Sequence, residues 1–161
     1  VPPEDTRHDD HLRDAVILAR ENVRSGGRPY GAVIVRDGTV LARSVNTIAL
    51  TNDPTDHAEM VALREVSRRL GTPKLEGCIV YASGRPCSMC HAAMRLSGIR
   101  EAYFAFSAEE GEEYGLLGAG IYAELCRPLA DQPMRVAHRP VVEPEHPYAL
   151  WRDRQSLARE S

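Results

Sequence analysis

The chain has 161 residues, of which 43% are hydrophobic and 27% charged, with a formal net charge of −3. That length suits one folded domain with an ordinary core, and the mixture of apolar and charged residues excludes a disordered chain. No apolar run approaches the length of a membrane span, and the small negative charge exerts no overall pull on nucleic acid.

Residues 1–8 are Pro-rich and charged and read as a flexible N-terminal segment ahead of a single domain over 9–161. Asp9 or Asp10 can cap a helix on which Leu12, Ala15, Val16, Ala19 and Val23 share one face, ended by Gly26-Gly27. Strands are predicted over 31–35 and 39–45, joined by the two-residue hairpin turn Asp37-Gly38. The first strand is apolar on both faces, which predicts a central position covered from both sides. Asn52-Asp53-Pro54-Thr55 turns the chain into a helix over 57–70, closed by Gly71. A strand over 78–82 leads through Ser83-Gly84-Arg85-Pro86 into a helix over 87–97, closed by Gly98, and a strand over 102–106 follows. Alternating strands and helices predict crossover connections, hence an α/β sandwich of three layers around a mixed, largely parallel sheet.

Two motifs about thirty residues apart carry the chemistry: His57-Ala58-Glu59 and Pro86-Cys87-Ser88-Met89-Cys90. One imidazole and two thiolates form a soft donor set that suits Zn²⁺, and three protein ligands instead of four mark a catalytic site with one open position. Cys87 and Cys90, at i and i+3, lie on one helical face and can share one ion. Both motifs open helices just past a strand or turn, where the helix N-termini favour thiolates and negative charge. Glu59 follows His57 closely enough to move protons at such a site without binding the metal, although a helix-start carboxylate can equally be a solvated one. Other readings of Cys87-x-x-Cys90 are a redox pair, half of a closed zinc site, or, with His91, a haem attachment. None of these uses His57-Ala58-Glu59 or Pro86. Cys78 and Cys126 sit in apolar stretches and read as buried thiols, which predicts a reducing, cytoplasmic setting.

From about residue 10 to 124 the chain resembles the bacterial guanine deaminase and tRNA adenosine deaminase branch of the cytidine-deaminase-like fold, whose signature is H-x-E followed by P-C-x-x-C. The resemblance rests on Pro29-Tyr30-Gly31-Ala32-Val33-Ile34-Val35, Asn46, residues 52–59, the Cys motif and Ile121-Tyr122. Thr51-Asn52-Asp53-Pro54 and the closing Tyr148-Ala149-Leu150-Trp151 look more like guanine deaminase. The resemblance implies a five-stranded sheet, one zinc per chain on His57, Cys87 and Cys90, and Glu59 as the proton-transferring catalytic residue. It implies that Asn46, with Tyr30 and Ala58, contacts the substrate, and that segment 140–161, with Tyr148 and Trp151, completes the pocket across a homodimer. On residue chemistry alone Asn46 is equally a turn residue, and Tyr148 and Trp151 are equally core aromatics.

The implied activity is zinc-dependent hydrolytic deamination of a free, guanine-like base with release of ammonia. Alternatives are a monocyclic base of cytosine or aminotriazine type, or adenosine in tRNA. Three departures bear on the choice. Arg85 stands where these families usually carry Glu, and Gly115-Leu116-Leu117-Gly118 stands where guanine deaminases tend to carry acids. Glu109, Glu110, Glu112 and Glu113 replace the Lys-Thr-Gly-Ala segment of the adenosine branch. That acidic run reads as a solvated helix and would repel an RNA backbone. Glu143 or Glu145 is then the acceptor that the tail offers to a base. The partners expected are a small nucleobase and a second copy of the chain, with no nucleic acid and no membrane.

Overall fold

A tight hairpin starts the sheet. β1 (Gly31–Arg36) and β2 (Thr39–Val45) are joined by Asp37-Gly38, whose φ angles of 51° and 73° are those of a primed turn that matches strand twist. The computed structural model describes residues 4–116, 119–142 and 144–160. The chain divides into two compact units, one ending at Cys126 and one beginning at Arg127.

The first unit is a mixed sheet of order β2-β1-β3-β4, completed by β3 (Cys78–Gly84) and β4 (Glu101–Phe106). β1 is antiparallel to both β2 and β3, and β3 is parallel to β4. Hence β2, β3 and β4 point one way, and only β1, wedged between β2 and β3, points the other. Side chains alternate between two layers, as the strand period requires. On one face α1 (Glu4–Arg24) sets Ala15 against Val33, Val35 and Tyr81. On the other, α3 (Ala58–Leu70) and α4 (Ser88–Leu96) pack Ala62, Val66 and Met94 against Ala32, Ile34 and Val80. This is the three-layer sandwich expected, with β1 central and covered on both sides.

The register decides what shares the rim. Gly31 pairs with Val45, Ala32 with Ala82, and Gly84 with Phe106. The ends of β2, β3 and β4 and the start of β1 therefore lie side by side at one edge of the sheet. α1 crosses this edge closely, because a Cβ on Gly31 would sit 2.4 Å from the carbonyl oxygen of Ala15. Only glycine permits that approach.

Three differences from the sequence reading have physical causes. Helix α1 begins at Glu4, ahead of Asp9 and Asp10, because His8 hydrogen bonds with the Tyr81 hydroxyl at 2.8 Å and its ring packs, tilted by 35°, with its centroid 4.3 Å from that of Tyr103. The sheet has four strands among the described residues, not five. After β4 the chain turns helical at once: Ser107 and Glu110 form a reciprocal capping box that starts α5 (Ala108–Glu112), followed by α6 (Ala119–Leu125). Beyond it, prolines at 128, 133, 140, 144 and 147 interrupt any strand ladder, and the second unit holds a short 3₁₀ turn (Leu129–Asp131) and α7 (Pro147–Glu160). Finally, Cys126 is exposed while Cys78 is buried, since the end of α6 also leaves Ile121 and Leu125 outside the core.

Candidate active site

Two helix starts are held at the crowded rim, each by its own local device. Before α3, the short helix α2 (Ile48–Thr51) ends on Asn52 in the left-handed region, at φ 57°. Asp53 Oδ1 then accepts from the Thr55 backbone N–H at 2.8 Å and from its hydroxyl at 2.7 Å. Arg64, one turn into α3, donates to Asp56 and to Thr55 Oγ1, while the Thr47 N–H donates to the Asp56 carbonyl at 3.0 Å. His57 is thus presented as the N-cap of α3, in extended backbone, and its side chain caps nothing. Cys87 occupies the same position on α4, again extended and again without a side-chain capping bond. Both side chains are withheld from the usual N-cap duty and point their donor atoms elsewhere.

They converge. The ligand atoms of His57, Cys87 and Cys90 lie within 4.8 Å of one another. Cys87 Sγ is 3.5 Å from His57 Nδ1 and 3.6 Å from Cys90 Sγ. Zinc bonds of about 2.3 Å to sulfur and about 2.0 Å to nitrogen give tetrahedral edges of about 3.8 Å between sulfurs and about 3.5 Å between sulfur and nitrogen. The observed spacings fit those edges, and 3.6 Å is far too long for a disulfide.

The charges agree with the spacing. The hydrogen bond from the Cys90 thiol, reinforced by one from His57, pulls the Cys87 pKa down to about 4. The same contact and burial push Cys90 up, and the bond to Cys87 raises His57. Such a donor set offers a bound cation two thiolates and a neutral imidazole. His57, Cys87 and Cys90 fit zinc and would hold it.

Glu59, in the first turn of α3, is 6% exposed, and its Oε2 lies 3.7 Å from Cys90 Sγ. Burial raises its pKa above the usual carboxylate range. Glu59, His57 and Cys87 line a cavity of about 890 Å³, the upper part of the range for small-molecule sites. Tyr30 and Asn46 line it too. Asn46 is 2% exposed, and its Oδ1 accepts from the Ile48 N–H at 3.2 Å, which leaves its NH₂ for a ligand. Cys90 is fully buried behind Cys87, and Ala58 is buried as the first residue of α3, whose backbone N–H has no partner within the helix.

Tyr148 and Trp151 lie on α7 of the second unit, both exposed. Glu143, Leu117 and Gly118 lie outside the described residues. Sequence spacing alone does not show which further residues meet around the cavity. Val16, Ala19, Arg20, Val23 and Arg24 of α1 line it, as do Arg28 and Arg85. Glu110, Glu113, Tyr114 and Tyr122 line it too, so the acidic run is not simply a solvated face. A sequence clue existed for α1: Arg20 and Arg24 flank the same helical stripe as Val16 and Val23.

Residues 5–106 match the family model described as the cytidine and deoxycytidylate deaminase zinc-binding region. The chain belongs to that zinc-dependent deaminase family. Guanine deaminase of Bacillus subtilis (strain 168) is 35% identical over 147 residues, 91% of this chain and 94% of that one. A crystal structure of guanine deaminase from Bacillus subtilis superimposes with a TM-score of 0.85 at 35% identity and the same coverage. The tRNA-specific adenosine deaminase of Aquifex aeolicus (strain VF5) is 40% identical, over 58% of this chain and 62% of its own. As a zinc-dependent deaminase the protein carries one zinc, and its mixed sheet with helices on both faces is the cytidine-deaminase-like fold. No helix among the described residues is long and apolar enough to cross a membrane.

Protein purified without added zinc is expected to hold one zinc per chain, and Cys87→Ala to lose most of it. Elemental analysis of the two proteins checks this, and equal zinc in both would move the ligation elsewhere.

Proposed function

We propose that the protein is a hydrolytic deaminase of a free amino-substituted purine, guanine above all, with Glu59 as its proton-transferring catalytic residue. The observation that carries this reading is the likeness to guanine deaminase, which covers nearly the whole of both chains at a TM-score of 0.85, whereas the tRNA adenosine deaminase of Aquifex aeolicus matches over 58% of this chain and 62% of its own. The cavity supports it, being roomy enough for a bicyclic base.

When bound by His57, Cys87 and Cys90, zinc supplies Lewis-acid activation of a water near neutral pH. Glu59 accepts a proton from the attacking water as its oxygen bonds to the amine-bearing carbon. It returns that proton to a ring nitrogen, then takes the proton of the newly formed hydroxyl and passes it to the amine, so that the C–N bond breaks, ammonia leaves and a carbonyl remains. A buried carboxyl with a raised pKa both takes and gives such a proton readily. Asn46 offers an amide N–H and Ala58 a backbone N–H to acceptors on the base, and Tyr30 forms a wall beside Gly84. Glu113, the C-cap residue of α5, lines the cavity and offers a carboxylate that suits the ring N–H donors of guanine.

One observation favours a second reading. Arg20, Arg24, Arg28 and Arg85, scattered in sequence, all line the cavity, as a polyanionic substrate such as tRNA would want. A panel of guanine, cytosine, an aminotriazine, adenosine and a folded tRNA separates the readings by kcat/KM for ammonia release. Guanine is expected to lead, and turnover of tRNA alone would reject the free-base reading. Glu59→Gln is expected to keep zinc and fold but to lose at least about 10²–10⁴-fold in kcat, and wild-type turnover would move the proton transfer to another group.

The same reading makes the protein a cytoplasmic homodimer in which segment 140–161, with Tyr148, Trp151 and Glu143, completes the site of the partner subunit. Its support is the exposure of Tyr148, Leu150, Trp151 and Leu157 along α7, an apolar surface large for a lone helix, and the four free cysteines, which suit a reducing compartment. Removing residues 148–161 is expected to lower activity while zinc stays bound. A monomeric, fully active truncation, judged by light scattering and assay, would dismiss the dimer.

A further inference from the structure

Just past the end of β3, Arg85 places a cation in the wall of the cavity. The backbone N–H of Arg85 donates to the Phe106 carbonyl at 3.0 Å, which ties the residue to the neighbouring strand. Its guanidinium carbon lies 4.6 Å from the centroid of the Tyr122 ring. The Tyr122 hydroxyl donates in turn to the Pro86 carbonyl at 2.5 Å. Backbone, guanidinium and ring thus close a small loop beside the ligand Cys87, and a long side chain that would otherwise sample many rotamers is held in the cavity wall. Among the described residues no carboxylate forms an ion pair with Arg85. The nearest acid to feel it is Glu109, whose carboxyl is held down chiefly by hydrogen bonds to its own backbone and to Ser107 and only lastly by Arg85. The fork of N–H donors is free for a ligand.

We propose that Arg85 is a specificity-determining residue that reads the O6/N7 edge of the purine while the C2 amine faces His57, Cys87, Cys90 and Glu59. The inference rests on the free-purine reading above and names the group that selects guanine within it. On guanine, C2 lies across the six-membered ring from the O6/N7 edge. A base that turns its C2 amine to the ligand cluster therefore turns that edge away from the cluster, toward the cavity lining to which Arg85 belongs. O6 and N7 are two acceptors side by side, and the guanidinium fork is the side-chain group that satisfies both at once. A glutamate in this position would offer acceptors to acceptors. A purine with an amine at position 6 would present a donor to a donor and be turned away. A purine with nothing there would leave one N–H without a partner.

Arg85→Met and Arg85→Lys, checked for wild-type zinc content, are assayed on guanine and on 2-aminopurine, which keeps the C2 amine and N7 but lacks O6. Where 2-aminopurine turns over too slowly to follow, its inhibition constant against guanine replaces kcat/KM. The guanine-to-2-aminopurine ratio is expected to fall about 10- to 100-fold in Arg85→Met, with Arg85→Lys between it and wild type. An equal loss on both bases, or no loss on either, would overturn the inference alone and leave Arg85 and Tyr122 as a clamp on the rim. Wild-type protein inactive on guanine would overturn the free-guanine reading together with the inference.

Discussion

Two sulfurs and an imidazole nitrogen brought within 4.8 Å cannot all be charged alike, and each depends on a cation or a proton between them. In this chain the need arises because two helices start at one rim of one sheet and neither helix uses its N-cap side chain to cap itself. The sheet register sets the distance between the starts, the Asp53–Thr55–Asp56–Arg64 network fixes the approach of one, and Pro86 with the Tyr122 hydroxyl fixes the other. Contacts with Cys90 and His57 favour the thiolate at Cys87. Preorganisation of this kind reduces the reorganisation left to binding and leaves Glu59 buried at the margin of the site.

The same rim builds the cavity. Because β1 alone is reversed, its first residues stand beside the last residues of the other three strands, and Tyr30, Asn46, Gly84 and Phe106 meet around one opening. Gly31 lets α1 press against this edge, so a helix that belongs to the core also supplies a wall rich in arginine. Glu110, Glu113 and Tyr122 line the same opening. The metal cluster defines a reaction; the basic and acidic side chains around the opening define what reaches it.

Much of this was legible in the sequence. The hairpin at Asp37-Gly38, the helices closed by Gly71 and Gly98, and the central strand over 31–35 are local signals that tertiary packing reinforces. The His57 and Cys87-x-x-Cys90 motifs are legible because metal ligation tolerates so few residue types at so few spacings. The early start of α1 was not, since it depends on His8 meeting Tyr81 and Tyr103 from distant strands. The arginines around the cavity were only partly legible: Arg20, Arg24 and Arg28 are near one another in sequence, but Arg85 joins them only in the fold. A fifth strand was expected from resemblance, and the prolines that interrupt residues 128–147 argue locally against it.

The account's central claim is that the fold presents a three-ligand, open zinc site with two sulfurs and one imidazole. X-ray absorption at the zinc edge of the purified protein tests it most directly. It predicts two sulfur neighbours at about 2.3 Å and two nitrogen or oxygen neighbours at about 2.0–2.1 Å. Four sulfurs, or none, would contradict it.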